Sequence, residues 1–137
     1  MLSPSLYLYI LVPYRLVISN PNMNLEADTI HQISVGLLNG DFFEESGDFF
    51  DATGNKTRAL ECYKKAKAYD KAIRLAKLAF PNEVVPLEEE WGDYLSSNRQ
   101  YDAATNHYIE AGRLTKALDA AIESRQWKKA LQIVEVS

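Results

Sequence analysis

Carboxylates, two histidines and one cysteine are the residues of this chain that could carry out chemistry. The run Glu88–Asp93 holds four acidic residues and the run Asp41–Asp51 holds five. Paired carboxylates act as acid and base only where a cleft shifts the pKa of one of them. Neither run has the order of a calcium loop. We therefore interpret both as exposed helix faces and the first also as a candidate partner-binding patch.

The histidines and the cysteine do not form a site in the sequence. His31 and His107 lack the spacing from other histidines or cysteines that zinc ligands have. Cys62 is the only cysteine, so an intrachain disulfide is impossible. Because it lies in a strongly helical stretch, we interpret it as a small buried residue. Neither a glycine-rich phosphate loop nor a Gly-x-Ser-x-Gly motif occurs. The sequence predicts no catalytic residue, no metal and no cofactor, which leaves binding as the function.

Composition limits the partners. The chain has 137 residues, 47% of them apolar and 25% charged, and its formal net charge is −4. These values are ordinary for a soluble globular chain. A net acidic chain of this kind argues against nucleic acid as a partner, because phosphate binding needs a basic face.

The first residues differ from the rest. Residues 5–19 are apolar and rich in β-branched and aromatic residues, but Pro13 and Arg15 interrupt them well short of the ~20 residues of a spanning helix. A basic segment, as in a signal peptide, does not precede them. We predict no membrane insertion, an apolar leader over 1–24 that lies outside the domain, and a folded segment over 25–137.

Helical periodicity dominates the folded segment. Apolar residues recur at intervals of three and four residues, and Gly54, Pro81, Gly112 and the Ser-Ser-Asn-Arg run at 96–99 interrupt them. This pattern predicts eight helices, over residues 28–38, 41–52, 56–67, 69–79, 83–97, 101–111, 114–123 and 126–135.

A repeat with an offset of 45 residues links two parts of the chain. The matched positions include Asp48 with Asp93 and Lys71 with Lys116. Small and aromatic residues recur at the intervals of the tetratricopeptide (TPR) helix pair, where closely crossing helices need Gly or Ala. The residues that we predict to pack the repeat are Gly47, Phe50, Ala59, Tyr63 and Ala66 in the first copy, and Gly92, Leu95, Ala104, Tyr108 and Ala111 in the second.

An additional helix follows each pair and opens with a large apolar residue, any residue, Lys, Ala and an aliphatic residue. The phrase occurs at 69–73, 114–118 and 127–131. We expect its lysine to point to solvent and its alanine to lie at a helix crossing. The predicted fold is all-α: a TPR-like helical-repeat solenoid of antiparallel hairpins with about seven or eight helices.

Such an array binds other proteins along its surface. Neither end of the chain has the polar face of a capping repeat, so we expect a longer solenoid or self-association through an exposed end. Trp91 and Trp127 also suit a core, which is the role that we favour for both. The candidate partner-binding residues, chosen because Trp, Tyr and Arg dominate interface energies or because they are acidic, are Glu88, Glu89, Tyr101, Arg125, Trp127 and Lys128.

Three segments carry a family resemblance: LAFPNEVVPLEEEWGDYL, DAATNHYIEA and RQWKKAL. Over about 40–137 the chain resembles the TPR region of the intraflagellar transport protein 172 family, the large subunits of the IFT-B complex. The resemblance implies a fragment of their solenoid, without the N-terminal WD-repeat propellers.

The resemblance also implies a role. Members of this family belong to the train that moves cargo along the ciliary axoneme and are needed to build cilia. It therefore implies a non-catalytic scaffold with IFT-B subunits as partners, in the cilium (axoneme and basal body) and cytoplasm. The alternative is a solenoid segment of a vesicle-coat or other membrane-trafficking subunit.

Overall fold

A computed structural model describes residues 27–136 of the chain; the predicted leader over 1–24 lies outside this range. The described residues form eight α-helices and no strand. The helices are α1 (Ala27–Asn39), α2 (Phe43–Ala52), α3 (Lys56–Lys65), α4 (Tyr69–Ala79), α5 (Val84–Ser97), α6 (Tyr101–Glu110), α7 (Leu114–Glu123) and α8 (Trp127–Val136). A 3₁₀ turn, Pro81–Glu83, precedes α5. The predicted all-α helical repeat is confirmed, and the helix boundaries agree with the predicted ones to within two residues.

The described part of the chain divides into two compact units, with the division between Ala72 and Ile73. In the first unit α2 packs against α1 and α3. In the second, α6 packs against α5 and α7, and α8 packs against α7. Consecutive helices that pack across turns of a few residues form helical hairpins.

Six of the described helices, α1, α2, α3, α5, α6 and α7, end in the same way. A residue in the left-handed conformation follows the helix, and the next residue's N–H donates to the carbonyl five positions back, for example Gln100 N–H to Leu95 O at 2.8 Å. This bond closes the helix end in a Schellman arrangement. The left-handed residues are Asp41, Gly54, Lys67, Arg99, Gly112 and Arg125.

Each unit has its own apolar interior. In the first, Leu37 of α1 and Phe49 of α2 are fully buried. In the second, small residues are part of the core: Ala104 of α6 and Ala117 and Ala121 of α7 are fully buried. Small side chains let helix backbones approach closely, which is why alanine recurs at these positions.

Candidate functional site

A tyrosine lies over a glycine of the preceding helix in the second unit. A Cβ on Gly92 of α5 would lie 2.7 Å from Cε1 of Tyr108 on α6. Real Cβ atoms do not come this close to other atoms, so only glycine fits beneath the ring. The ring is buried, and its hydroxyl donates to Asp93 Oδ1 at 2.7 Å and lies 3.2 Å from Ser96 Oγ.

A lysine from the next helix completes this arrangement. The Nζ atom of Lys116 on α7 lies 3.1 Å from Asp93 Oδ1 and 2.9 Å from Glu89 Oε1, and 5.6 Å from the centre of the Tyr108 ring. Arg113 Nε donates to Glu89 Oε2 at 2.8 Å. The hydrogen bonds from Lys116 and Arg113 hold the pKa of Glu89 below its usual value. Those to Glu89 and Asp93 raise the pKa of Lys116.

The first unit contains the same arrangement 45 residues earlier. A Cβ on Gly47 would lie 2.5 Å from Tyr63 Cε1, and the Tyr63 hydroxyl donates to Asp48 Oδ1 at 2.7 Å. Lys71 Nζ lies 3.0 Å from both Asp48 Oδ2 and Glu44 Oε1. Burial alone would lower the pKa of Lys71, but the hydrogen bonds to Glu44 and Asp48 outweigh it and raise that pKa. We call each set of five residues a repeat clamp: Glu44, Gly47, Asp48, Tyr63 and Lys71 in the first unit, and Glu89, Gly92, Asp93, Tyr108 and Lys116 in the second.

The lysine of the recurring phrase was expected to point to solvent; the side chain of Lys116 is 45% exposed and that of Lys71 is 30% exposed. Both also pair with carboxylates, which the sequence interpretation did not predict. Each lysine reaches back to carboxylates two helices earlier in the chain, Lys71 to Glu44 and Asp48 and Lys116 to Glu89 and Asp93. The sequence signal was available, since Glu44, Asp48 and Lys71 are identical to their partners at the 45-residue offset.

Most of the predicted packing residues are buried, and Gly47 and Gly92 lie against tyrosine rings. Ala66 is half-buried, and the others are buried; they are Gly47, Phe50, Ala59, Tyr63, Gly92, Leu95, Ala104, Tyr108 and Ala111. Ala66 and Ala111 are the C-terminal caps of α3 and α6.

The acidic run of α5 is engaged within its own unit. Glu88 Oε2 lies 2.7 Å from His107 Nδ1, and only 12% of the Glu88 side chain is exposed. The Trp91 ring stacks on His107 with 3.9 Å between ring centres, and it packs against the core. Glu89 is held in the repeat clamp. Glu88 and Glu89 are therefore paired within the unit, whereas Glu90 and Asp93 of the same run are exposed, as the sequence interpretation expected.

Tyr101 and Trp127 are the two aromatic candidates, and they differ in exposure. Tyr101, at the start of α6, is half-buried and lines an open groove together with Ser96 and Tyr108. Trp127, at the start of α8, is 62% exposed, so the core role that we favoured for it is wrong. Its neighbours Arg125 and Lys128 are also exposed.

Trp127 begins an exposed apolar stripe on α8. Leu131 is 62% and Val134 52% exposed, one and two turns further along the same helix face. Residues spaced i, i+4 and i+7 share one side of a helix. The other side of α8, with Ala130 and Ile133, is buried in the core. We call Trp127, Leu131 and Val134 the α8 stripe; with Arg125 and Lys128 it combines apolar area with positive charge.

Residues 27–136 contain no group of three or more His, Cys, Asp or Glu side chains able to hold a metal ion. Cys62 is buried, and burial raises the pKa of its thiol. None of the helices between residues 27 and 136 has the length and apolar character needed to cross a membrane.

Comparison with known proteins identifies relatives that are much longer than this chain. The chain is 54% identical over 121 residues to the intraflagellar transport protein 172 homologue of Danio rerio and 47% identical over 122 residues to that of Homo sapiens. It is 40% identical over 122 residues to intraflagellar transport protein 172 of Chlamydomonas reinhardtii. These matches cover 88–89% of the chain but only 7% of each relative. No protein-family model matches the chain.

Proposed function

Because the chain is a homologue of a short segment of the intraflagellar transport protein 172 family, we propose that it is a non-catalytic scaffold segment of an IFT-B subunit. In this role it binds other subunits of the train that carries cargo in the cilium and so supports cilium assembly. The observation that carries the proposal is the 40–54% identity to relatives from vertebrates to an alga.

Two features of the described residues support a binding role. The helical hairpins pair several of their charged residues with one another, such as Lys71 with Asp48. The α8 stripe instead leaves an aromatic and an aliphatic side chain 62% exposed on one helix face. Exposed apolar area grouped on one face is typical of an interaction surface, and tryptophan and arginine are common anchors of interfaces.

We assign the α8 stripe, with Arg125 and Lys128, as the surface that binds a partner subunit. We assign smaller roles to Glu88 and Glu89, because both are already paired inside the unit. The same holds for Tyr101, because it is half-buried. We place the protein at the ciliary axoneme and basal body and in the cytoplasm.

The test is affinity capture of the tagged chain from ciliated cells. We expect intraflagellar transport subunits to be captured, and we expect the double variant Trp127→Ala/Leu131→Ala to lose them. Leu78→Ala is the matched control, because Leu78 is 85% exposed on α4 and should keep them. Capture of vesicle-coat subunits in their place would overturn the ciliary assignment, and equal capture by all variants would overturn the assigned surface.

A further inference from the structure

A groove in the second unit lies between the C-terminal part of α5, α6 and α7. It has a volume of about 200 Å³, and its lining is mostly apolar. Pockets that enclose a free small molecule usually have about 300–1,000 Å³, so this groove suits a single side chain of a larger partner. Its walls are Ser96, Tyr101, Tyr108, Lys116, Asp119, Ala120 and Glu123.

The charge along the groove is negative. Asp119 and Glu123 lie one turn apart on α7 and line the groove; neither has an ion-pair partner among residues 27–136. Lys116 also lines it, but Glu89 and Asp93 already bind its ammonium group at 2.9 and 3.1 Å. The two free carboxylates therefore set the sign of the charge that a ligand of this groove would meet.

These two carboxylates are not part of what the repeat keeps constant. At the 45-residue offset Tyr108 matches Tyr63 and Lys116 matches Lys71, whereas Asp119 matches Arg74 and Glu123 matches Leu78. The first repeat clamp has the same glycine–tyrosine contact and the same tyrosine–aspartate bond without an acidic pair at these positions. Packing of the repeat does not require Asp119 and Glu123.

We propose that this groove binds an arginine side chain of a partner protein, an inference that rests on the proposed function and names the chemistry of one contact. A guanidinium group is planar, binds carboxylates through paired N–H donors and stacks on aromatic faces. Asp119 and Glu123 supply the carboxylates, Tyr101 supplies the ring, and Ala120 leaves room for the aliphatic stem.

The experiment is a titration of the ¹⁵N-labelled full chain with N-acetyl-arginine methylamide, followed by two-dimensional NMR. We expect saturable shifts of the backbone amides of Tyr101, Asp119 and Glu123. N-acetyl-citrulline methylamide has the same shape without the charge and should give no saturable shifts. Equal binding of the citrulline compound, or shifts centred on the α8 stripe, would overturn the proposal.

Variants distinguish binding in the groove from a general attraction of arginine to the negatively charged surface of the chain. Asp119→Asn/Glu123→Gln should weaken arginine binding at least fivefold, and Asp119→Arg/Glu123→Leu, which introduces the residue types of the first repeat, should abolish it. Asp102→Asn/Glu110→Gln removes the same two charges from exposed positions of α6 and should change the affinity less than twofold. Equal weakening by both neutral pairs would overturn the proposal.

This titration contains no partner protein, so its outcome is independent of capture from cells. If the chain does not bind the arginine compound but still captures intraflagellar transport subunits, only the assignment of the groove is wrong. If the chain binds the arginine compound but captures none of these subunits, the proposed ciliary function is wrong and the assignment of the groove stands.

Discussion

Tyr108 lies so close over Gly92 that a β-carbon on this glycine would be 2.7 Å from the ring. The ring is itself buried and its hydroxyl is bound to Asp93, so moving the ring away from Gly92 would strain this bond. Gly92→Ala gains about 1 kcal/mol of helix propensity but overpacks the contact, which typically costs about 1–3 kcal/mol.

We therefore expect Gly92→Ala to lower the free energy of unfolding by about 1 kcal/mol, measured by urea denaturation. The double variant Gly92→Ala/Tyr108→Leu should lose less than the sum of the two single variants, because the smaller side chain makes room for the methyl group. Stabilisation by Gly92→Ala would show that the ring moves freely.

The tyrosine hydroxyl contributes separately from the ring. Tyr108→Phe keeps the ring over Gly92 but removes the bond to Asp93, and such a bond contributes about 0.5–1.5 kcal/mol. We expect a loss at the lower end of this range, because Asp93 is exposed and water can replace the hydroxyl. Urea denaturation of Tyr108→Phe and of the matched variant Tyr63→Phe measures it; a loss above about 3 kcal/mol would contradict this account.

Glu89 gives a pH dependence of known sign. Its pKa in the folded chain lies below the usual 4.5 because Lys116, and after it Arg113, donate to its carboxylate. The stability that this pairing contributes is present above the unfolded-state pKa and is lost as the pH falls through the lower folded-state pKa. Lys116→Met should raise the pKa of Glu89, measured by NMR titration of its carboxyl carbon.

A control for this titration is Lys128→Met, which removes an exposed lysine that belongs to neither repeat clamp. We expect it to leave the titration of Glu89 unchanged. An equal shift in both variants would mean that net charge, and not the contact with Lys116, sets the pKa.

Cys62 should react slowly in the folded chain. Its side chain is buried, and burial raises the pKa of its thiol, whereas the thiolate is the reactive form. We expect the rate of labelling by a disulfide reagent at neutral pH to rise by more than tenfold when urea unfolds the chain. Equal rates with and without urea would place Cys62 at the surface.

The sequence was sufficient to predict the helices because their apolar periodicity is regular and the connections between them are short. It was less informative about the turns. Gly54 and Gly112 are readable as helix ends, but Lys67, Arg99 and Arg125 adopt the same left-handed conformation without a residue type that predicts it. For these three residues the backbone bond that closes the helix end outweighs the local preference.

The candidate site was predicted only in part, for a different physical reason. A pattern within one helix shows which face is apolar, but not which neighbour covers that face. Trp127 was therefore assigned to a core and is exposed. The ion pairs of Lys71 and Lys116 were not predicted, because their partners lie 23 residues or more earlier in the chain, beyond the reach of a one-helix argument.

The left-handed turns also determine which substitutions the corners between the helices can accept. Main-chain atoms form the closing bonds, as between Gln126 N–H and Ala121 O at 2.8 Å, so the side chains at the joints are not needed for closure. Exchanges of Lys67, Arg99 or Arg125 for glycine or asparagine, which adopt the left-handed conformation readily, should therefore keep the geometry of each hairpin while they change the charge that each corner presents.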